Sequence, residues 1–164
     1  MKLFLIGLVI GVFLFILFIS FSLGSKADQP ISFNHQKHTE QGLECDTCHP
    51  FFKDQTFAGM PTVATCMECH KEPITQSPEE EKIRRYAKKN KQPPWKRLYV
   101  VPDHVFFSHR RHVLLGKLEC PVCHGNIAGS KEPPSKPWVN MTMNWCMNCH
   151  KTSSVTNDCL ACHE

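Results

Sequence analysis

Ten cysteines fall into five pairs, each with two residues between the partners and a histidine directly after: CDTCH at 45, CMECH at 66, CPVCH at 120, CMNCH at 146 and CLACH at 159. No other feature constrains the chain so tightly. Disulfide frameworks are common in exported, cysteine-rich chains, but they place no demand on the residue after the second cysteine. Zinc sites close a tetrahedron from paired CxxC motifs. Five pairs do not divide evenly into four-cysteine sites, and the histidines would be unexplained. A thioredoxin-like site needs one CxxC in a βαβ context. Iron–sulfur clusters use other spacings.

C-x-x-C-H is the pattern of c-type haem attachment. Two thiols bond to the two vinyl groups on one side of the porphyrin, and the next residue places an imidazole under the ring. The expected covalent anchors are Cys45 and Cys48, Cys66 and Cys69, Cys120 and Cys123, Cys146 and Cys149, and Cys159 and Cys162. The expected proximal iron ligands are His49, His70, His124, His150 and His163. Five haems c also answer a problem of composition. The chain has 164 residues, with twelve prolines and ten histidines, and long aliphatic runs are missing outside its N-terminus. A water-soluble domain of this size needs a sizeable apolar core, and porphyrins would supply it.

Five of the ten histidines lie outside the motifs: His35, His38, His104, His109 and His112. Their number matches the five sixth positions to be filled. Four of them sit in two copies of one phrase, SFNHQKH at 32 and FFSHRRH at 106. The bland alternative is a solvated histidine on a basic turn, above all for His112 beside Arg110 and Arg111. The repeat and the matching count favour ligation. His104 is supported only by the count, and Met60, Met141 or Met143 could replace it, giving an iron of higher potential. Bis-histidine ligation leaves no open coordination position, so the expected role is electron transfer and no catalytic residue is expected.

Leu3 to Leu23 carries no charge, and Leu3 to Ile19 is apolar without a break. Roughly 20 such residues cross a bilayer core, and the run exceeds the apolar region of a typical cleaved signal. An uncleaved anchor is the expectation. Lys2 and Lys26 give little charge asymmetry to orient it. Haem c is attached outside the bacterial plasma membrane, which puts the N-terminus inside and Asp28 to Glu164 on the periplasmic side.

The duplication extends further. ISFNHQKHTEQGLECDTCHP (31–50) parallels VFFSHRRHVLLGKLECPVCHG (105–125), and TCMECHK (65–71) parallels WCMNCHK (145–151). The expected organisation is an anchor at 1–25 and a pentahaem domain at 26–164. Within that domain, 31–71 is a dihaem module, 72–104 a linker and 105–164 a trihaem module. In the linker, Ser77 is a good N-cap, Pro78 suits the first helical position and Glu80 completes a capping box. Acidic residues lead and basic residues follow, matching the helix dipole. This predicts a helix over about 78–90, ended by Pro93-Pro94. Trp95, Trp138 and Trp145 are expected on haem edges. Elsewhere short helical turns, long loops and little sheet are expected. The formal charge of +4 does not point to nucleic acid, because haem propionates add about two negative charges each, partly offset by ferric iron.

The F-x-H-x-x-H phrase ahead of CxxCH resembles the class III multihaem cytochromes of the c3/c7 type. The resemblance implies a mostly irregular, small-α multihaem fold, here with a transmembrane helix before it. It also implies that the first histidine serves the nearest following haem. His35 would then serve the haem on Cys45/Cys48, and His109 that on Cys120/Cys123. His112 would serve the haem on Cys159/Cys162, leaving His38 and His104 for those on Cys66/Cys69 and Cys146/Cys149. The string PPWKRLYVVPDHVFFSHRRHV, then LECPVCHG and WCMNCHK, is similar to the membrane-anchored pentahaem subunit of alternative complex III and of the quinone reductase complex. That similarity implies electron relay between the quinone pool and soluble periplasmic carriers. The implied partners are iron–sulfur subunits of the molybdopterin type and a polytopic quinone-binding subunit. The alternatives are a freestanding anchored relay or a small multihaem reductase.

Overall fold

The computed structural model describes residues 6–8, 10–16 and 26–163. Residues 6–8 and 10–16 are helical. Most of the expected anchor, 1–25, lies outside the described residues. Among those described, no helix is long and apolar enough to cross a membrane.

From residue 26 onward the chain is short helices joined by loops. They are α1 (His35–Thr39), α2 (Cys45–Cys48), α3 (Val63–Met67), α4 (Pro78–Lys88), α5 (Pro121–His124) and α6 (Met143–Thr152). Two 3₁₀ turns span Pro50–Lys53 and Cys159–Ala161, and a π turn spans Arg110–Leu115. The described residues form no sheet; the one β-bridge pairs Val105 with His163. Beside it the Phe106 N–H donates to the Cys162 carbonyl at 2.8 Å, tying the last CxxCH to the start of the second repeat.

Local chemistry starts these helices. Asn34, Thr62, Ser77, Thr142 and Asp158 each accept a hydrogen bond from a backbone N–H of the turn that follows, as short polar N-caps do. Three of the caps stand just ahead of CxxCH motifs. The motifs themselves are single helical turns. His49, His70, His124 and His163 donate their backbone N–H to the carbonyl of the first cysteine four residues back, at 2.9–3.0 Å. His150 lies within α6. Residues three and four apart share a helix face, so each turn presents two thiols and one imidazole on the same side.

Helix α4 forms where the linker signals place it, ending at Lys88. Ser77 accepts from the Glu79 N–H at 3.3 Å. Glu80 does not close the capping box. Its carboxylate reaches past Ser77 to the N–H groups of Ile74 and Thr75 at 2.9 and 3.0 Å.

The two repeats differ by one residue. His38 precedes Cys45 by seven positions and His112 precedes Cys120 by eight. The Leu43 N–H reaches the His38 carbonyl at 3.2 Å, and the Leu118 N–H reaches the His112 carbonyl at 3.1 Å. These bonds are equivalent, so the extra residue is absorbed between them. The turn widens to the π pattern, with the Gly116 N–H bonded to the Arg111 carbonyl. The left-handed corner made by Gly42 in the first copy (φ 79°) falls on Lys117 in the second (φ 55°).

The apolar core is small. Ile31, Val63 and Ile83 are the buried aliphatic side chains, and no described side chain is fully enclosed. Interactions across the sequence are mostly polar. Gln29 and Lys96 exchange two hydrogen bonds of 3.0 Å. The Gln36 N–H donates to Ser130 at 3.0 Å, and Thr39 Oγ donates to Ala128 at 3.1 Å.

Candidate haem-binding site

Four of the five extra-motif histidines lie against a motif histidine. The ring centroids of His38 and His70 are 6.1 Å apart, those of His109 and His124 6.5 Å, those of His112 and His150 6.2 Å, and those of His104 and His163 5.5 Å. His35 is half-buried, and His49 and His38 are close enough to act on it electrostatically. An imidazole nitrogen binds a first-row metal ion at about 2 Å. Two imidazoles on opposite sides of one ion therefore have centroids roughly 6 Å apart. Three of the four measured pairs match that spacing, and His104–His163 is somewhat shorter.

This pairing corrects one part of the expected assignment. His112, which the resemblance directs to the haem on Cys159/Cys162, faces His150, and His104 takes the place opposite His163. The reason is tertiary. The bridge at Val105 carries His104 to the terminal motif, while the wide turn aims His112 toward α6. Met60 and Met143 are exposed, and the histidine rather than either of them stands opposite His163.

The other ring nitrogens are held in place. Nδ1 of His38 lies 2.8 Å from the Asn34 carbonyl, His49 2.7 Å from Gly59, His109 3.0 Å from Thr56, His112 2.8 Å from Ser108 and His150 2.8 Å from Thr156. A carbonyl can only accept, so these rings donate through Nδ1 and their Nε2 atoms carry the free lone pair. Such outer partners fix the tautomer and orientation of a metal-binding imidazole. His35 Nδ1 meets the Ser130 hydroxyl at 3.2 Å. Burial lowers the pKa of His35 to about 4, with further lowering from His49 and His38. Burial also lowers His109 and His124. These rings stay neutral at physiological pH, the form that binds metal.

The phenylalanine of each repeat explains the phrase as a whole. Phe33 stacks on His38 at 4.3 Å and meets His35 edge-on at 4.7 Å. Phe107 does the same with His112 at 4.7 Å and His109 at 5.0 Å. One aromatic ring thus spaces two histidines that face different motifs.

The thiols show how the motifs adjoin. Burial pushes the thiols of Cys66, Cys120, Cys123 and Cys146 up, and in each the next contribution comes from a cysteine of another motif: Cys48, Cys45, Cys149 and Cys162 respectively. Cys45 and Cys120 also line a common cleft of ≈ 320 Å³. The thiols thus adjoin pairwise, 66–70 with 45–49, 45–49 with 120–124, 120–124 with 146–150, and 146–150 with 159–163. None of the ten cysteines is disulfide-bonded. Among the described residues, no three His, Cys, Asp or Glu side chains converge on one point.

Comparison with known proteins agrees. Residues 105–164 match the family described as cytochrome c7 and related cytochrome c, and residues 21–93 match the class III cytochrome C family. The chain is 35% identical over 167 residues to the menaquinone reductase multiheme cytochrome c subunit of Nitratidesulfovibrio vulgaris strain Hildenborough, covering 87% of this chain and 80% of that protein. The chain is a multihaem cytochrome c of the class III/c7 type.

The cytochrome's own residues fit covalent haem. Paired thiols lie beside opposed imidazoles with fixed tautomers, and the polypeptide core is too small to stand alone. Sequence reasoning missed several residues that shape the site. Tyr99 packs edge-on against His124 at 4.7 Å and donates its hydroxyl to the Cys123 carbonyl at 3.1 Å. Gly59 holds φ 85°, and a Cβ there would lie 2.7 Å from the Phe51 ring, so glycine alone lets its carbonyl meet His49. Trp138, which the sequence already singles out, is 70% exposed and lies over Gly125, where a Cβ would come within 2.7 Å of the indole. Glu80 is the one buried charged side chain among the described residues. Its Oε2 lies 3.6 Å from His70 Nδ1.

Proposed function

We propose that the cytochrome carries five haems c and relays electrons between the membrane quinone pool and periplasmic carriers, as a subunit of a quinol-oxidising or quinone-reducing respiratory complex. The observation that carries this reading is the pairing of four motif histidines with four from outside the motifs, which leaves His35 and His49 as the fifth pair. The pairs would hold the irons as His35/His49, His38/His70, His109/His124, His112/His150 and His104/His163. Each haem, when bound, can take up and give back one electron.

The chain's contribution is to orient and to exclude. Nδ1 anchors hold the imidazoles, two ligands at each iron would leave no position for substrate, and the pairwise adjoining motifs would link the haems in a row. A row suits passage of charge from one end to the other. The similarity to a menaquinone reductase subunit supports a quinone-linked role. The uncharged segment Leu3 to Leu23 would anchor the protein in the bacterial plasma membrane with residues 28–164 outside. One helix is too little to build a quinone pocket, so a polytopic quinone-binding subunit and iron–sulfur subunits of the molybdopterin type are the expected partners. The resemblance of residues 93–125 to the pentahaem subunit of alternative complex III supports an assembly of that kind.

Native electrophoresis of gently solubilised membranes, stained for haem, tests this. The stained band is expected to contain iron–sulfur and polytopic membrane subunits. Migration of the cytochrome alone would contradict membership of a complex.

A further inference from the structure

The outer partners of the histidines are not alike. Five of them are neutral backbone carbonyls. His35 meets the Ser130 hydroxyl, and His70 is the histidine that faces a carboxylate among the described residues. Its Nδ1 is buried and makes no hydrogen bond, and the group it faces is the Glu80 carboxylate at 3.6 Å. That carboxylate is fixed from the other side. It accepts from the Ile74 N–H, the Thr75 N–H and the Thr75 hydroxyl, and α4 holds its backbone. At 3.6 Å the contact with His70 is an ion–dipole approach rather than a hydrogen bond.

We propose that Glu80 is a positioning residue that lowers the reduction potential of the iron ligated by His70, setting it apart from the other four. A carboxylate beside the outer nitrogen raises the basicity of a metal-binding imidazole and favours the more positively charged ferric state. Because Glu80 is buried, solvent screens that charge weakly. The motif at 66–70 stands at one end of the row, so the tuned site is terminal.

Arg84 works against Glu80. Its Nη1 lies 3.6 Å from the same carboxylate oxygen that faces His70, and this nitrogen is also buried without a hydrogen bond. Its Nη2 is turned to Glu81 at 3.1 Å, which divides the guanidinium charge between two acids. The line His70–Glu80–Arg84 therefore gives two handles of opposite sign on one iron.

The inference rests on His70 being an iron ligand, and the test keeps the two claims apart. Visible-absorbance redox titrations are run on the haem-loaded wild type, Glu80→Gln and Arg84→Gln, with haem content measured on each. Glu80→Gln should raise one midpoint and leave four in place, and the EPR g values of one low-spin haem should move with it. Arg84→Gln should lower the same midpoint. A purely structural Glu80 would give less stable protein with no such opposed pair. Unchanged midpoints in fully loaded Glu80→Gln, or a uniform shift of all five, would overturn the proposal. If Glu80→Gln loses haem, Arg84→Gln decides alone: one lowered midpoint supports the inference and none overturns it. A wild type lacking haem on Cys66 and Cys69 would instead sink the ligand assignment itself.

Discussion

His104 and His163 lie with ring centroids 5.5 Å apart and planes 22° from parallel. The contact joins the loop ahead of the second repeat to the last motif of the chain. Replacing His104 with Ala should therefore affect the iron on Cys159/Cys162 and no other. One high-spin ferric haem per molecule should appear in the EPR spectrum. Retention of an all-low-spin spectrum would mean that another side chain ligates this iron.

His112→Ala separates the pairing found in the structure from the one the family resemblance implies. The open iron should be the one on Cys146/Cys149, because His112 faces His150 at 6.2 Å. Nuclear magnetic resonance of the haem methyl groups, assigned to their thioethers, reads which site changes.

Gly59→Ala puts a methyl group 2.7 Å from the Phe51 ring at a φ of 85°. Alanine at positive φ is strained. A loss of about 1–2 kcal/mol is expected, read from denaturant unfolding of the haem-loaded protein. Lys117 shows the opposite case. It adopts φ 55°, a left-handed conformation that costs a side-chain-bearing residue roughly 1 kcal/mol. Lys117→Gly should leave stability unchanged or raise it by up to about 1 kcal/mol, although glycine usually weakens a chain.

Acid should act through Glu80. Its hydrogen bond from the Thr75 hydroxyl, then the Ile74 N–H and the His70 ring, lower its pKa from 4.5 to about 2. A depressed carboxyl binds fewer protons folded than unfolded. Its contribution is present in full above pH 4.5 and is lost as pH falls toward 2. The melting temperature of the wild type should fall more steeply across that window than that of Glu80→Gln.

Much of this was legible in the sequence for a physical reason. Covalent haem attachment fixes two cysteines and a histidine within one helical turn, so the pattern survives in any fold. The count of spare histidines and the repeated F-x-H-x-x-H phrase marked His35, His38, His109 and His112. The start of α4 was readable from Ser77 and Pro78 because capping is local chemistry. What was not readable depends on distant contact. The placement of His104 opposite His163 and of His112 opposite His150 follows from a bridge between Val105 and His163 and from a turn widened by one residue. The length difference between the repeats was visible, but its absorption as a π turn was not. Local rules stop at Ser77 and make Glu80 a capping residue, whereas its carboxylate is engaged by Thr75 and faces His70. Trp138, expected against a haem edge, lies over Gly125 with most of its ring exposed.

The most direct test combines haem quantitation with EPR on the purified, oxidised cytochrome. Pyridine haemochrome analysis should give five haems per polypeptide, and spin quantitation should place all of them in low-spin ferric signals. Fewer than five haems, or a stoichiometric high-spin signal in the wild type, would contradict the pairing of ten histidines on five irons.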